Sequence, residues 1–141
     1  MFGNDRAALR AQYATAWRKA RDQQALTPLE SAIATLIGEH PEYHALLETS
    51  AVELAQAEFR PEDGGENPFL HMGMHLALRE QVGTDRPPGI RRLHRRLAAR
   101  QGSAHAAEHL MMGCLGQALW EAQQSGLPPD EIRYLDCLRR L

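Results

Sequence analysis

The segment SAHAAEHLMMGCLGQALWEAQQS, from Ser103 to Ser125, decides the fold class. Ser103 is a good helix N-cap, and the glycine before it is typical of a residue that ends the preceding helix. Histidines and apolar residues then recur at intervals of three and four, which is the spacing of one helix face. The segment therefore predicts a long helix to about Ser125 whose two histidines, His105 and His109, point inward.

Similar signals for helix starts and ends recur along the rest of the chain, and alternating runs of β-branched residues are absent. Thr27-Pro-Leu-Glu30 has the arrangement of a capping box, and Asn67-Pro68 supplies the cap and first residue of a later helix. Further helices are predicted over about Asp5 to Gln24, Pro28 to about Glu39, a short stretch from Pro41, Pro68 to about Val82, Ile90 to about Gln101, and from Pro128–Asp130 to the end. Arg60 to Asn67 reads as a loop. We predict an all-α protein, a single-domain helical bundle of about six helices that spans residues 1–141.

Composition limits the classes of function. The 141 residues include 16 basic and 18 acidic side chains, a net charge of −2 that argues against a dedicated nucleic-acid or anionic-membrane binder. No stretch approaches membrane-spanning length, and the first residues lack the apolar centre of a secretory signal. Cys114 and Cys137 are too few for a disulfide framework, so we expect two reduced thiols and a soluble cytoplasmic protein.

The histidines are the most informative residues. Six of the seven fall into three His-x-x-x-His pairs: His40/His44, His71/His75 and His105/His109. Residues four apart on a helix share a face, so two imidazoles can converge on one cation. Pro41 interrupts the first pair, because the residue before a proline is pushed out of helical geometry. His44 is therefore a better candidate ligand than His40.

Burying several imidazoles is unfavourable unless each nitrogen finds a partner, and a metal ion satisfies several nitrogens at once. We predict a divalent metal site, for one or two zinc or iron ions, built from His71, His75, His105 and His109. His44 is a further ligand, and Glu108 is the best placed carboxylate. Whether the protein is an enzyme stays open; if it is, metal-assisted hydrolysis or redox chemistry on a small molecule at the metal is the class.

The alternative is a metal-free interaction or regulatory module whose histidines are bonded to carbonyls and acids. Its docking face would be the arginine-rich helix between Arg86 and Arg100. No aromatic residue interrupts that stretch to stack on bases, so its charge does not indicate nucleic-acid recognition. The sequence does not fix an oligomeric state or a protein partner.

Three stretches, Glu39-His-Pro-Glu-Tyr-His44, Asn67-Pro-Phe-Leu-His-Met-Gly-Met-His75 and Trp120-Glu-Ala-Gln123, carry a resemblance that spans nearly the whole chain. They resemble a family of short bacterial proteins described only as a domain of unknown function. The resemblance implies a bacterial, single-domain, cytosolic protein and no particular chemistry. The histidine spacings also look like those of hemerythrin-type oxygen-binding bundles, but their order and separations depart from that pattern.

Overall fold

The computed structural model of the protein describes residues 2–59 and 66–141, and within those ranges the secondary structure is helical, with no strand. The all-α prediction is confirmed. The described ranges contain eight α-helices: α1 (Phe2–Arg21), α2 (Pro28–Gly38), α3 (His44–Leu47), α4 (Ala51–Gln56), α5 (Pro68–Thr84), α6 (Ile90–Gln101), α7 (Ala104–Ser125) and α8 (Glu131–Arg139), with a 3-10 turn at Pro41–Tyr43. None of these helices is both long and apolar enough to cross a membrane.

The predicted count of about six helices is too low for the described residues. Helix α4 is absent from the sequence prediction, although Ser50 caps it by accepting a hydrogen bond from the backbone N–H of Glu53 over 3.2 Å. The spacing Ser50-x-x-Glu53 is the signal that predicts such a start. The predicted loop from Arg60 falls largely on residues 60–65, which lie outside the described ranges.

Two compact units divide the chain, an N-terminal unit (Met1–Gly73) and a C-terminal unit (Met74–Leu141). Helix α5 begins in the first and ends in the second. Compact units need not fold separately, so the single-domain prediction stays a prediction.

In the N-terminal unit, α1 packs against α2 and α4 around a core of apolar side chains. The capping box at Thr27 is confirmed: its hydroxyl accepts from the Glu30 N–H, and its own N–H donates to the Glu30 carboxylate. The core contains Tyr13, Ala16, Ile33, Leu36, Ile37, Leu47, Leu54, Phe69 and Met72. These side chains fix α1 against the shorter helices.

One buried cation joins α1 to α4. The guanidinium of Arg10 donates to the carbonyl oxygens of Leu54 at 2.8 Å and Ala57 at 2.7 Å. Its charge also lies over the ring of Phe69, 5.0 Å from the centroid. Because the last carbonyls of a helix have no partner within the helix, Arg10 satisfies groups that burial would otherwise leave unpaired.

In the C-terminal unit, α6, α7 and α8 pack together with the second half of α5. Its core comprises Leu78, Ile90, Leu93, Leu97, Ala107, Met111, Cys114, Leu115, Ala118, Tyr134 and Leu138. Glycines with positive φ end two of its helices, Gly102 at 85° and Gly126 at 72°, as expected at a left-handed C-terminal position. Ser103 caps α7 as predicted, accepting from the Ala106 N–H at 3.0 Å.

The expectation of two reduced thiols is wrong. Cys114 on α7 and Cys137 on α8 form a disulfide that links residues 23 positions apart. The number of cysteines does not decide the outcome, because a disulfide forms where two helices bring the side chains together. Reduced thiols therefore give no support to the predicted cytoplasmic location.

Candidate metal centre

Three imidazoles converge inside the C-terminal unit. His75 comes from α5, and His105 and His109 come from adjacent turns of α7. The ring centroids lie 4.6 Å apart for His75 and His105, 4.9 Å for His75 and His109, and 4.5 Å for the two rings on α7. One nitrogen of each ring can be chosen so that all lie within 4.8 Å of one another. Imidazole nitrogens bind zinc at about 2.0–2.1 Å, so nitrogens as far apart as 4.8 Å have to move closer together to share a single tetrahedral ion.

The local sequence explains how the rings meet. Ser103 fixes where α7 begins, and the four-residue spacing then places His105 and His109 on one face. His75 is fully buried, His105 is half-buried and His109 is exposed. The prediction that both histidines of α7 point inward is therefore wrong for His109, which lies at the solvent side of the cluster.

Glu108 is bound on the far side of His75. Its Oε1 atom lies 2.7 Å from Nδ1 of His75, and both of its oxygens lie 3.2 Å from Nε of Arg79. Only 5% of the Glu108 side chain is exposed. Burial raises the pKa of this carboxyl, but the hydrogen bond from His75 and the charge of Arg79 outweigh it, so the pKa lies below its usual value.

The ionised state of Glu108 fixes the tautomer of His75. A carboxylate without a proton can only accept hydrogen bonds, so we assign the proton to Nδ1 of His75. The other ring nitrogen, Nε2, then carries a lone pair. Metal-binding histidines commonly have such a carboxylate partner, which orients the ring and increases its basicity.

Arg79 is a site residue that the sequence analysis missed. Its positive charge compensates the buried carboxylate of Glu108. The available signal was the spacing of Arg79 four residues after His75, which places both side chains on one face of α5.

The other predicted ligands lie in the N-terminal unit. His71 has its Nδ1 3.3 Å from Oε2 of Glu66, and its ring meets that of His40 edge-on at 5.3 Å. His44 packs against Trp17, with ring centroids 4.4 Å apart, and its Nε2 lies 2.9 Å from the Ile37 carbonyl oxygen.

His40 and His44 both satisfy the end of α2. Nδ1 of His40 donates to the Leu36 carbonyl at 2.9 Å, one residue before the carbonyl that His44 reaches. The C-terminal carbonyls of a helix lack intrahelical donors, and histidines near a helix end commonly supply them. This role needs no metal ion.

Arginines of α6 also donate hydrogen bonds to backbone carbonyls at helix ends. Arg91 donates to the carbonyls of Val82 and Gly83 at the end of α5, at 3.0 and 2.6 Å. Arg96 and Arg100 reach the carbonyls of Arg139 and Leu141 at 3.5 and 3.1 Å. Three arginines of this stretch therefore bind backbone carbonyls at or near the ends of helices in their own unit.

Comparison with known proteins gives a family. No curated protein matches the chain, and no solved structure matches it. Residues 5–140 match the family described as "Domain of unknown function (DUF1841)". The match covers nearly the whole chain, so the protein belongs to that family, whose function is unknown.

Proposed function

We propose that the protein binds one divalent transition-metal ion through His75, His105 and His109. The observation that carries the proposal is the convergence of three ring nitrogens within 4.8 Å beside a carboxylate that orients one of them. Without a cation, each of the three clustered rings needs its own donor and acceptor. When a cation is bound, it accepts a lone pair from each of the three rings.

The donor set favours zinc over iron. All three donors are imidazole nitrogens, which suit zinc, copper and nickel as well as iron, whereas non-haem iron sites typically include a carboxylate ligand. Both oxygens of Glu108 already accept hydrogen bonds from His75 and Arg79. We therefore assign Glu108 to orienting His75 and Arg79 to compensating its charge.

Elemental analysis and zinc titration of protein purified without an affinity tag test the proposal. We expect close to one zinc per chain, and loss of that zinc in a His105→Ala/His109→Ala double variant. His94→Ala is the matched control, because His94 lies on α6 and is not in the cluster. Equal zinc binding by the double variant, or substoichiometric metal in the wild type, would overturn the proposal.

A tetrahedral zinc ion takes a fourth donor, either water or another side chain. The sequence predicts His71 and His44 as ligands, and His40 is the one other member of the three pairs. His71→Ala and His40→Ala variants answer the question: a loss of affinity comparable to that of His75→Ala identifies an imidazole, and an unchanged affinity identifies water. A small-molecule ligand at the metal requires the second outcome.

A further inference from the structure

A separate cavity of about 330 Å³ lies in the N-terminal unit, beside α1 and the α3–α4 segment. Small side chains leave this space open: Ala11 and Ala14 on α1, and Ala51 on α4. Its volume is at the lower end of the range for small-molecule sites. None of the three proposed zinc ligands lines it.

An indole ring borders the cavity. Trp17 is one of its lining residues, and the indole N–H of Trp17 is buried with no hydrogen-bond partner among the described residues. Buried tryptophan N–H groups usually find an acceptor, and one left without costs free energy. Because protein atoms enclose the N–H, the indole presents its apolar ring, and not its N–H, to a ligand in the cavity.

The charged side chains of the cavity sum to one positive charge. Arg21 forms an ion pair with Glu48, which leaves that pair neutral. Arg18 also lines the cavity, and the described residues provide it with no ion pair. A ligand that complements the charge of this site therefore carries a single negative charge.

We propose that this cavity binds a small monocarboxylic acid with a compact aromatic or branched apolar body. The carboxylate pairs with the guanidinium of Arg18, which is suited to two parallel hydrogen bonds with such a group. The apolar body occupies the space beside the alanines and the Trp17 ring. Three observations support this: the volume, the indole ring among small side chains, and the net charge of the lining.

Fluorescence of a single-tryptophan protein provides the test. The chain has two tryptophans, so Trp120→Phe leaves Trp17 as the only one. The probes are benzoate, phenylacetate and isovalerate, with benzamide as a neutral match for benzoate. We expect at least one acid to change the Trp17 emission saturably, and benzamide to bind roughly tenfold more weakly because it lacks the charge.

Two variants locate the binding. Arg18→Ala should weaken the acid about tenfold, the typical effect of losing a charged hydrogen-bond partner, whereas Arg92→Ala on α6 should not. Ala14→Leu fills the cavity and should abolish binding, whereas Ala8→Leu, on an exposed position of the same helix, should not.

Ligand-observed NMR with the wild-type protein gives the same comparison if Trp120→Phe fails to fold. Binding of none of the three acids, or undiminished binding by a folded Ala14→Leu protein, overturns the proposal. Because no proposed zinc ligand lines this cavity, the result is independent of zinc binding.

Discussion

Nδ1 of His75 lies 2.7 Å from Oε1 of Glu108, with both side chains buried. This contact joins α5 to α7 and determines which nitrogen of His75 carries a lone pair. The hydrogen bond from His75 and the charge of Arg79, on the same helix as His75, lower the pKa of the Glu108 carboxyl. Glu108 and Arg79 therefore hold the ring of His75 in the orientation that the proposed zinc site needs.

Glu108→Gln should weaken zinc binding by about 10- to 100-fold, the usual effect of removing the carboxylate partner of a metal-binding histidine. The amide can still accept from His75, but it carries no charge and presents an N–H₂ group towards Arg79. Competition with a chromophoric chelator measures the change. Glu121→Gln, at an ion pair further along α7, is the control. An equal effect in both variants would show that Glu108 does not act through His75.

His44→Ala should leave zinc affinity within about twofold but destabilise the protein by about 1 kcal/mol, the typical net value of one hydrogen bond. The expected loss is the contact from Nε2 to the Ile37 carbonyl. Chemical denaturation and zinc titration of the same variant separate the two effects. A large loss of zinc affinity with unchanged stability would restore His44 as a ligand.

The Cys114–Cys137 disulfide should make stability sensitive to reductant. A disulfide that closes a loop of this size is worth roughly 3 kcal/mol. Protein purified without reductant should show no free thiol under denaturing conditions, and its thermal unfolding should shift downwards with dithiothreitol. A Cys114→Ala/Cys137→Ala variant is the control and should not respond. Two titratable thiols in the untreated protein would contradict the structure.

Asp85 should make the start of α6 sensitive to acid. Its carboxylate accepts from the backbone N–H groups of Arg91 at 3.0 Å and Gly89 at 3.1 Å, and these bonds hold its pKa below the ordinary value of 3.8. A lowered pKa in the folded state means that the stabilisation is fully present above pH 3.8 and disappears as pH falls through the folded pKa.

Asp85→Asn should therefore destabilise the protein at pH 7, and the difference from wild type should shrink below pH 3.8. Urea denaturation across that range measures it. A difference that is constant with pH would show that the charge of Asp85 contributes nothing.

Local signals in the sequence predicted much of the helical structure. Thr27 with Glu30, and Ser103 after Gly102, are interactions between near neighbours in the chain, so the residues themselves carry the information. The short helix α4 was not predicted, although Ser50 and Glu53 form a start signal of the same local kind.

Only part of the candidate metal site could be predicted from the sequence. The spacing of His105 and His109 identified one pair correctly as neighbours on a helix, and Glu108 was singled out as the best carboxylate. The four-residue spacing predicted the same role for His71 and His75. In the structure, His71 contacts Glu66 and His40, whereas His75 contacts Glu108. The disulfide likewise depends on how α7 and α8 pack, which is not a property of either segment alone.

The proposed zinc site can be located in crystals of the protein loaded with one equivalent of zinc, by anomalous diffraction measured on both sides of the zinc edge. We predict one anomalous peak about 2.0–2.1 Å from a ring nitrogen of each of His75, His105 and His109, with Glu108 still bonded to His75. A stoichiometric zinc peak bound elsewhere, or zinc bound by fewer than these three rings, would contradict the account.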